Sequence, residues 1–199
     1  IRAMYDGLRQ LGFKTGNILE PSCGTGNFMG MMPDDLSSSK FYGVELDDLT
    51  GSVLKYLHDD VYVKVSGIQD ANIPNNSQDL VISNVPFGNY KIFDKTFKGE
   101  KTEFLARIHN YFFAKSIDMA REGGLIAFVT SKGVLDAPGN ENLRKYINQN
   151  TEFLGAVRLP DKAFKNNANT EVVTDIIFLR KNTNFPLFLL YQTTSPYFN

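Results

Sequence analysis

Short apolar runs alternate along this chain with stretches of helical periodicity. "NILE" (17–20), "FYGVEL" (41–46), "VYVKV" (61–65), "DLVIS" (79–83) and "LIAFVT" (125–130) are brief and rich in β-branched or aromatic residues, as buried strands are. Between them, Leu49, Val53, Leu54 and Leu57 fall at helical spacing, and residues 1–12 read as an amphipathic helix. A long helix is predicted from about Glu103 to Arg121, stopped by Gly123–Gly124 acting as a C-terminal glycine cap, and another near Glu141–Asn148. "FLGAVRL" (153–159) and "VVTDIIFL" (172–179) are joined by a loop too irregular for a helix, which predicts an antiparallel hairpin at one edge. The alternation as a whole predicts an α/β fold: a mostly parallel seven-stranded sheet with that edge hairpin and helices on both faces.

Composition narrows the class without naming a function. The 199 residues are 42% hydrophobic and 22% charged, the balance of a globular domain with a sizeable core. No apolar run approaches the roughly 20 residues of a membrane span. The single cysteine, Cys23, excludes an internal disulfide and any cysteine-built metal site, so no metal is expected, and it fits a reducing cytoplasm. A net charge of −1 does not advertise nucleic-acid binding by the chain as a whole. The first residue is Ile, which predicts a piece of a longer protein. Residues 1–181 are expected to form one domain, and the apolar stretch 182–199 is a tail of no assigned role.

Chemistry enters at "LEPSCGTGNF" (19–28), a strand followed by a glycine-rich turn and the start of a helix. In a doubly wound sheet such a turn lies at the carboxyl edge, where ligands bind. Gly24 and Gly26 permit conformations and close approach that a side chain would forbid. Glu45 ends the next strand at about the 20-residue offset where a carboxylate grips ribose hydroxyls. The dinucleotide fingerprint needs a third glycine where Met29 stands, and Glu20–Pro21 precede the turn. A carboxylate there suits a cationic ligand better than a pyrophosphate, so the turn leans toward S-adenosylmethionine, with its ammonium and sulfonium, over NAD. Glu20, Pro21, Ser22, Cys23, Gly24, Gly26, Asn27, Phe28, Glu45 and Leu46 are the candidate cofactor residues.

"SNVPFG" (83–88) closes the strand at 79–83 and brings Asn84 to the same edge. The Asn84 side-chain oxygen and a neighbouring main-chain carbonyl can both accept from one exocyclic NH2 group, while Phe87 stacks on the ring that carries it. Pro86 stiffens the turn. An aromatic amine is a poor nucleophile, and two acceptors stabilise it as it pyramidalises and gains positive charge.

Together, in this order, "LEPSCGTGNF" and "SNVPFG" resemble the amino-group DNA methyltransferases that make N6-methyladenine. "GGLIAFVTSKGVLD", "FLGAVRLPDKAF" and "TEVVTDIIFLRK" are similar to later segments of large bacterial, phage and mobile-element adenine methylases, often fused to a helicase. The resemblance covers roughly residues 15–181. It implies a Rossmann-like class I methyltransferase fold, S-adenosylmethionine as cofactor, and a flipped-out DNA adenine as substrate. Asn84, Val85, Pro86 and Phe87 match the catalytic tetrad, usually Asn-Pro-Pro-Tyr/Phe. Val85 departs from it, which the resemblance reads as a loss of rigidity with the backbone carbonyl retained. The family's cofactor-adenine contacts fall near Gly67–Ile68, and Ile68 and Asp70 are the matching candidates here.

A flipped base needs a DNA surface beside Phe87. The following loop carries Lys91, Lys95, Lys98 and Lys101 against Asp94 and Glu100, interleaved with Tyr90, Phe93 and Phe97. These lysines are candidate phosphate contacts, and the rings either stack on bases or anchor the loop. His58 and His109 are read as structural. A sequence-recognition region is expected outside this chain, so the chain alone is expected to bind cofactor but methylate DNA weakly or not at all. Two alternatives stay open: the same fold acting on ribosomal RNA or a protein glutamine amide, and a silent cofactor- or DNA-binding module of a helicase-fused protein.

Overall fold

The computed structural model describes residues 1–58, 61–88, 90–160 and 173–183. In chain order the elements are α1 (Arg2–Gln10), β1 (Asn17–Glu20), the single turn α2 (Asn27–Gly30), β2 (Lys40–Glu45), α3 (Asp48–Leu57), β3 (Tyr62–Val65) and β4 (Gln78–Asn84). After a 3-10 stretch at Gly99–Ala106 come α4 (Ile108–Met119), β5 (Ala120–Ser131), α5 (Gly133–Asp136), α6 (Glu141–Asn150), β6 (Thr151–Arg158) and β7 (Thr174–Lys181). The strands form one sheet in the order β3-β2-β1-β4-β5-β7-β6. Only β7 runs against its neighbours, so the predicted edge hairpin is present, with β7 inserted between β5 and β6.

The order reverses between β1 and β4, which pair through Ile18 with Leu80 and Leu19 with Val81. Each central strand is covered on both faces, which is why it reads as a continuous apolar run. On one face Ile18, Leu80 and Ile82 pack with Met4, Tyr5 and Leu8 of α1, with Phe28 and with Leu54. On the other, Leu19 and Val81 pack with Tyr111, Phe113, Phe128 and Leu143. Two cores share one sheet.

Four expectations need correcting. First, the helix predicted from Glu103 to Arg121 begins at Ile108 and ends at Met119. Gly123–Gly124 do not cap it; they form a bulge inside β5, where pairing jumps from Gln78–Ala120 to Leu80–Leu125. Gly123 has φ +71°, and a Cβ on Gly124 would lie 2.9 Å from the carbonyl oxygens of Arg121 and Gln78. Glycine serves a bulge for the reason it serves a cap. Second, β5 is correspondingly longer than residues 125–130.

Third, α3 does not bury the leucine-rich face its spacing predicts. Leu49 and Leu57 are exposed and Val53 is only partly covered, while Gly51 and Leu54 make the contact. Gly51 packs so closely on β3 that a Cβ would lie 2.6 Å from Val65 Cγ2. Fourth, β3 is an edge strand with Tyr62 and Lys64 exposed, not a buried one. The connection over 161–172 and most of the predicted tail, 184–199, lie outside the described residues. Among the described residues no helix is long and apolar enough to cross a membrane.

Candidate active site at the carboxyl edge of the sheet

The glycine turn leaves β1 at Glu20 and is stitched to β2, where the Cys23 N–H donates to the Val44 carbonyl at 3.0 Å. Gly26 (φ +84°) caps α2, and its N–H donates to the Cys23 carbonyl at 2.9 Å. A Cβ on Gly26 would lie 2.4 Å from Leu54 Cδ1 and 3.1 Å from the His58 ring, so both conformation and space demand glycine. Gly24 (φ +53°) differs: a Cβ there would meet nothing, so the crest of the turn faces open space. Tyr5 secures the base of α2 by donating its hydroxyl proton to the Phe28 carbonyl at 2.8 Å.

Glu45 reaches back to this turn from the end of β2. Its Oε2 accepts the Gly24 N–H at 2.8 Å and its Oε1 accepts the Asp47 N–H at 2.9 Å. Asp47 in turn caps α3, accepting from the Thr50 N–H at 2.8 Å. Glu45 is therefore a brace for the loop as well as the expected ribose acid; each oxygen keeps a second lone pair for a ligand.

Glu20 is only 3% exposed, and its Oε2 has no hydrogen-bond partner. Burial pushes its carboxyl well above the usual range, and the charge of Glu45 adds to the push. Such a group wants a donor or a cation. Burial, helped by Glu20 and Glu45, also raises the Cys23 thiol, which packs against Gly43 and stays a filler. Pro21 and Phe28 are buried, Ser22 is half-buried, and Asn27 and Leu46 are exposed. Ile68 sits in the core with Leu19, Val44 and Val85, while Asp70 is exposed and accepts from Gln69 Nε2 at 3.0 Å.

Asn84 is the last residue of β4, paired with Val129, and its side chain is exposed at the carboxyl edge. Val85 is buried (1% exposed), and its N–H donates to the Val129 carbonyl at 3.0 Å. Proline could not make that bond, so the departure from Asn-Pro-Pro adds a tether where loss of rigidity was expected. Pro86 is half-buried and Phe87 offers a partly exposed ring. The turn is fixed at Val85 and open at Asn84 and Phe87.

The lysine loop divides. Lys91, Lys95 and Lys98 are exposed and take part in no ion pair among the described residues. Lys101 is not a free phosphate contact: it pairs with Asp118 at 2.5 Å and lies over the rings of Phe97 and Tyr146. Phe97 is buried and anchors the loop, whereas Tyr90 and Phe93 are exposed. Asp94, expected to offset the lysines, is buried instead. Its Oδ2 accepts from Lys115 Nζ and the Tyr111 hydroxyl, each at 2.8 Å, and its Oδ1 from Thr96. Burial alone would raise the Asp94 carboxyl, but these donors hold it down at about 2. The sequence reading missed this network, although Tyr111 and Lys115 stand four apart on one helix face. His109 is buried, and burial with Arg107 nearby lowers its pKa; His58 packs on Gly26 and Gly30. Among the described residues no group of three His, Cys, Asp or Glu is placed to hold a metal.

The family model described as N-6 DNA Methylase matches residues 9–194. The "Defense against restriction protein B" of Escherichia phage P1 is 30% identical over 184 residues, 90% of this chain but 8% of that protein. A candidate class I S-adenosylmethionine-dependent methyltransferase from Listeria monocytogenes superposes with a TM-score of 0.73 at 21% identity, over 94% of this chain and 61% of its own. The M protein of the type I restriction enzyme EcoKI gives 0.67 at 20% identity, over 84% and 40%. The fold is that of the class I methyltransferases.

Proposed function

The chain belongs to the N-6 DNA methylase family, and from that premise we propose that it transfers a methyl group from S-adenosylmethionine to the exocyclic amine of an adenine flipped out of DNA. The observation that carries this reading is the placement of Asn84 and Phe87, exposed on a rigid strand end, across the β1–β4 switch point from the glycine turn.

The turn fits the donor. Glu20 offers a buried carboxyl oxygen with no protein partner, which a cationic group would hold in its ionised form, and Gly24 leaves open space at the crest. To this donor we assign Ser22, Asn27 and Leu46 at the rim, Glu45 on the ribose hydroxyls through its spare lone pairs, and Pro21, Cys23, Gly26 and Phe28 beneath. Ile68 and Asp70 take the adenine side. When bound, S-adenosylmethionine supplies an electrophilic methyl on its sulfonium.

The chain's own residues prepare the acceptor. Phe87 stacks on the flipped ring, and Asn84 with the carbonyl of Val85 or a neighbour accepts both N–H groups of the amine. Held so, the amine lone pair would be turned out of the ring plane toward the donor's methyl, and transfer would exchange the donor's C–S bond for a C–N bond. The acceptors hold the positive charge until a proton leaves to solvent. This step needs no metal and no strong base.

This chain spans 8% of the phage protein it matches, so target choice, and any helicase the resemblance implies, are assigned to such a longer polypeptide. Incubating that full-length polypeptide with labelled methyl donor and DNA, ribosomal RNA or protein tests the reading. Label in DNA adenine supports it; label only in RNA or in a protein amide overturns the substrate, and binding without transfer leaves a silent module.

A further inference from the structure

Phe93 is 83% exposed, six residues beyond Phe87, and the structure holds it there from both sides. Before it, Ile92 packs on the core and its N–H donates to the Leu105 carbonyl at 2.9 Å. After it, Asp94 turns inward to Lys115, Tyr111 and Thr96. With residues 92 and 94 fixed inward, residue 93 has only the outward direction. A phenylalanine left in water forgoes the stabilisation that burial would give, so the exposure is a standing cost. A buried ion pair is itself weak evidence for stability and better evidence for a device that fixes one geometry.

The surroundings indicate what covers this ring. Lys91, Lys95 and Lys98 flank it, exposed, with no ion-pair partner among the described residues, and of the two loop acids, Asp94 and Glu100, the one beside Phe93, Asp94, is consumed by Lys115. An apolar tip among unpaired cations matches the chemistry of an opened DNA base step: phosphates outside, base faces within.

Resting on the adenine-methylation reading, we propose that Phe93 is a wedge that enters the duplex beside the target and occupies the stack from which adenine is flipped. The Asp94–Lys115–Tyr111 cluster is its positioning device. The wedge offsets the unstacking cost, which is greatest on a paired base and much smaller where no partner base exists.

The test uses the full-length polypeptide and a short duplex bearing a site at which the wild type methylates adenine. A second duplex places an abasic site opposite that adenine. Phe93→Ala should slow methylation of the paired duplex by about tenfold or more, yet stay within about twofold of wild type on the abasic duplex, with donor affinity unchanged. Lys115→Met should show the same pattern more weakly. Equal losses on both duplexes, or no loss on either, would overturn the wedge while leaving the methylation reading intact. No methylation of either duplex by the wild type would overturn both.

Discussion

Glu45 and Gly24 are joined by a hydrogen bond of 2.8 Å, backbone N–H to carboxylate, that ties the end of β2 to the crest of the glycine turn. The acid therefore shapes the loop before any ligand arrives. Glu45→Gln keeps an oxygen for Gly24 but loses the second strong acceptor. It should weaken donor binding by about tenfold, one lost charge-assisted bond of roughly 1.5 kcal/mol, while Tm moves little. Calorimetric titration with S-adenosylmethionine checks it.

If Glu20 holds the donor's cationic group as proposed, donor binding should depend on pH. Its folded pKa lies above the ordinary value of 4.5, so the folded chain keeps a proton that the unfolded chain releases. Stability from this group therefore falls as pH rises above 4.5 toward the raised pKa. A bound cation favours the ionised form, so binding releases a proton and affinity climbs with pH over the same window. Glu20→Gln should flatten the stability profile and abolish proton release, read by calorimetry in buffers of different ionisation enthalpy.

Gly26→Ala forces a side chain into a left-handed backbone and into Leu54. The expected loss is at least about 1 kcal/mol of stability, with weaker donor binding, by thermal melts and titration. Gly24→Ala shares the strain but meets no atom, so it should cost less.

The buried cluster behind Phe93 is strict. Asp94→Asn leaves Lys115 charged and unpaired in a site where both are nearly inaccessible, which should cost roughly 3–5 kcal/mol. Adding Lys115→Met should restore much of that loss in a double-mutant cycle. Because the Asp94 carboxyl is held down at about 2, its contribution is complete above the ordinary value of 3.8 and disappears only as pH falls through about 2.

What could be read from the residues follows from their range of action. The central strands were legible because burial on both faces writes an unbroken apolar run, and the two motifs were legible because each is a short segment at a strand end. Helix limits were less so, since Gly123 and Gly124 look the same in a cap and in a bulge. Leu49 and Leu57 misled because α3 packs through the absence of a side chain at Gly51. The pairings of Lys101 and Asp94 were not legible because their partners, Asp118 and Lys115, lie 17 and 21 residues away and become neighbours only in the fold.

Asn84 decides the account. The measurement is the nucleoside content of DNA incubated with S-adenosylmethionine and the full-length polypeptide, wild type against Asn84→Ala. Wild type should give N6-methyladenine, and Asn84→Ala should lose at least about a hundredfold in rate, as when one transition-state donor or acceptor is removed, with donor affinity unchanged. Methylated adenine in equal amount from both proteins, or a methylated base other than adenine from the wild type, would contradict it.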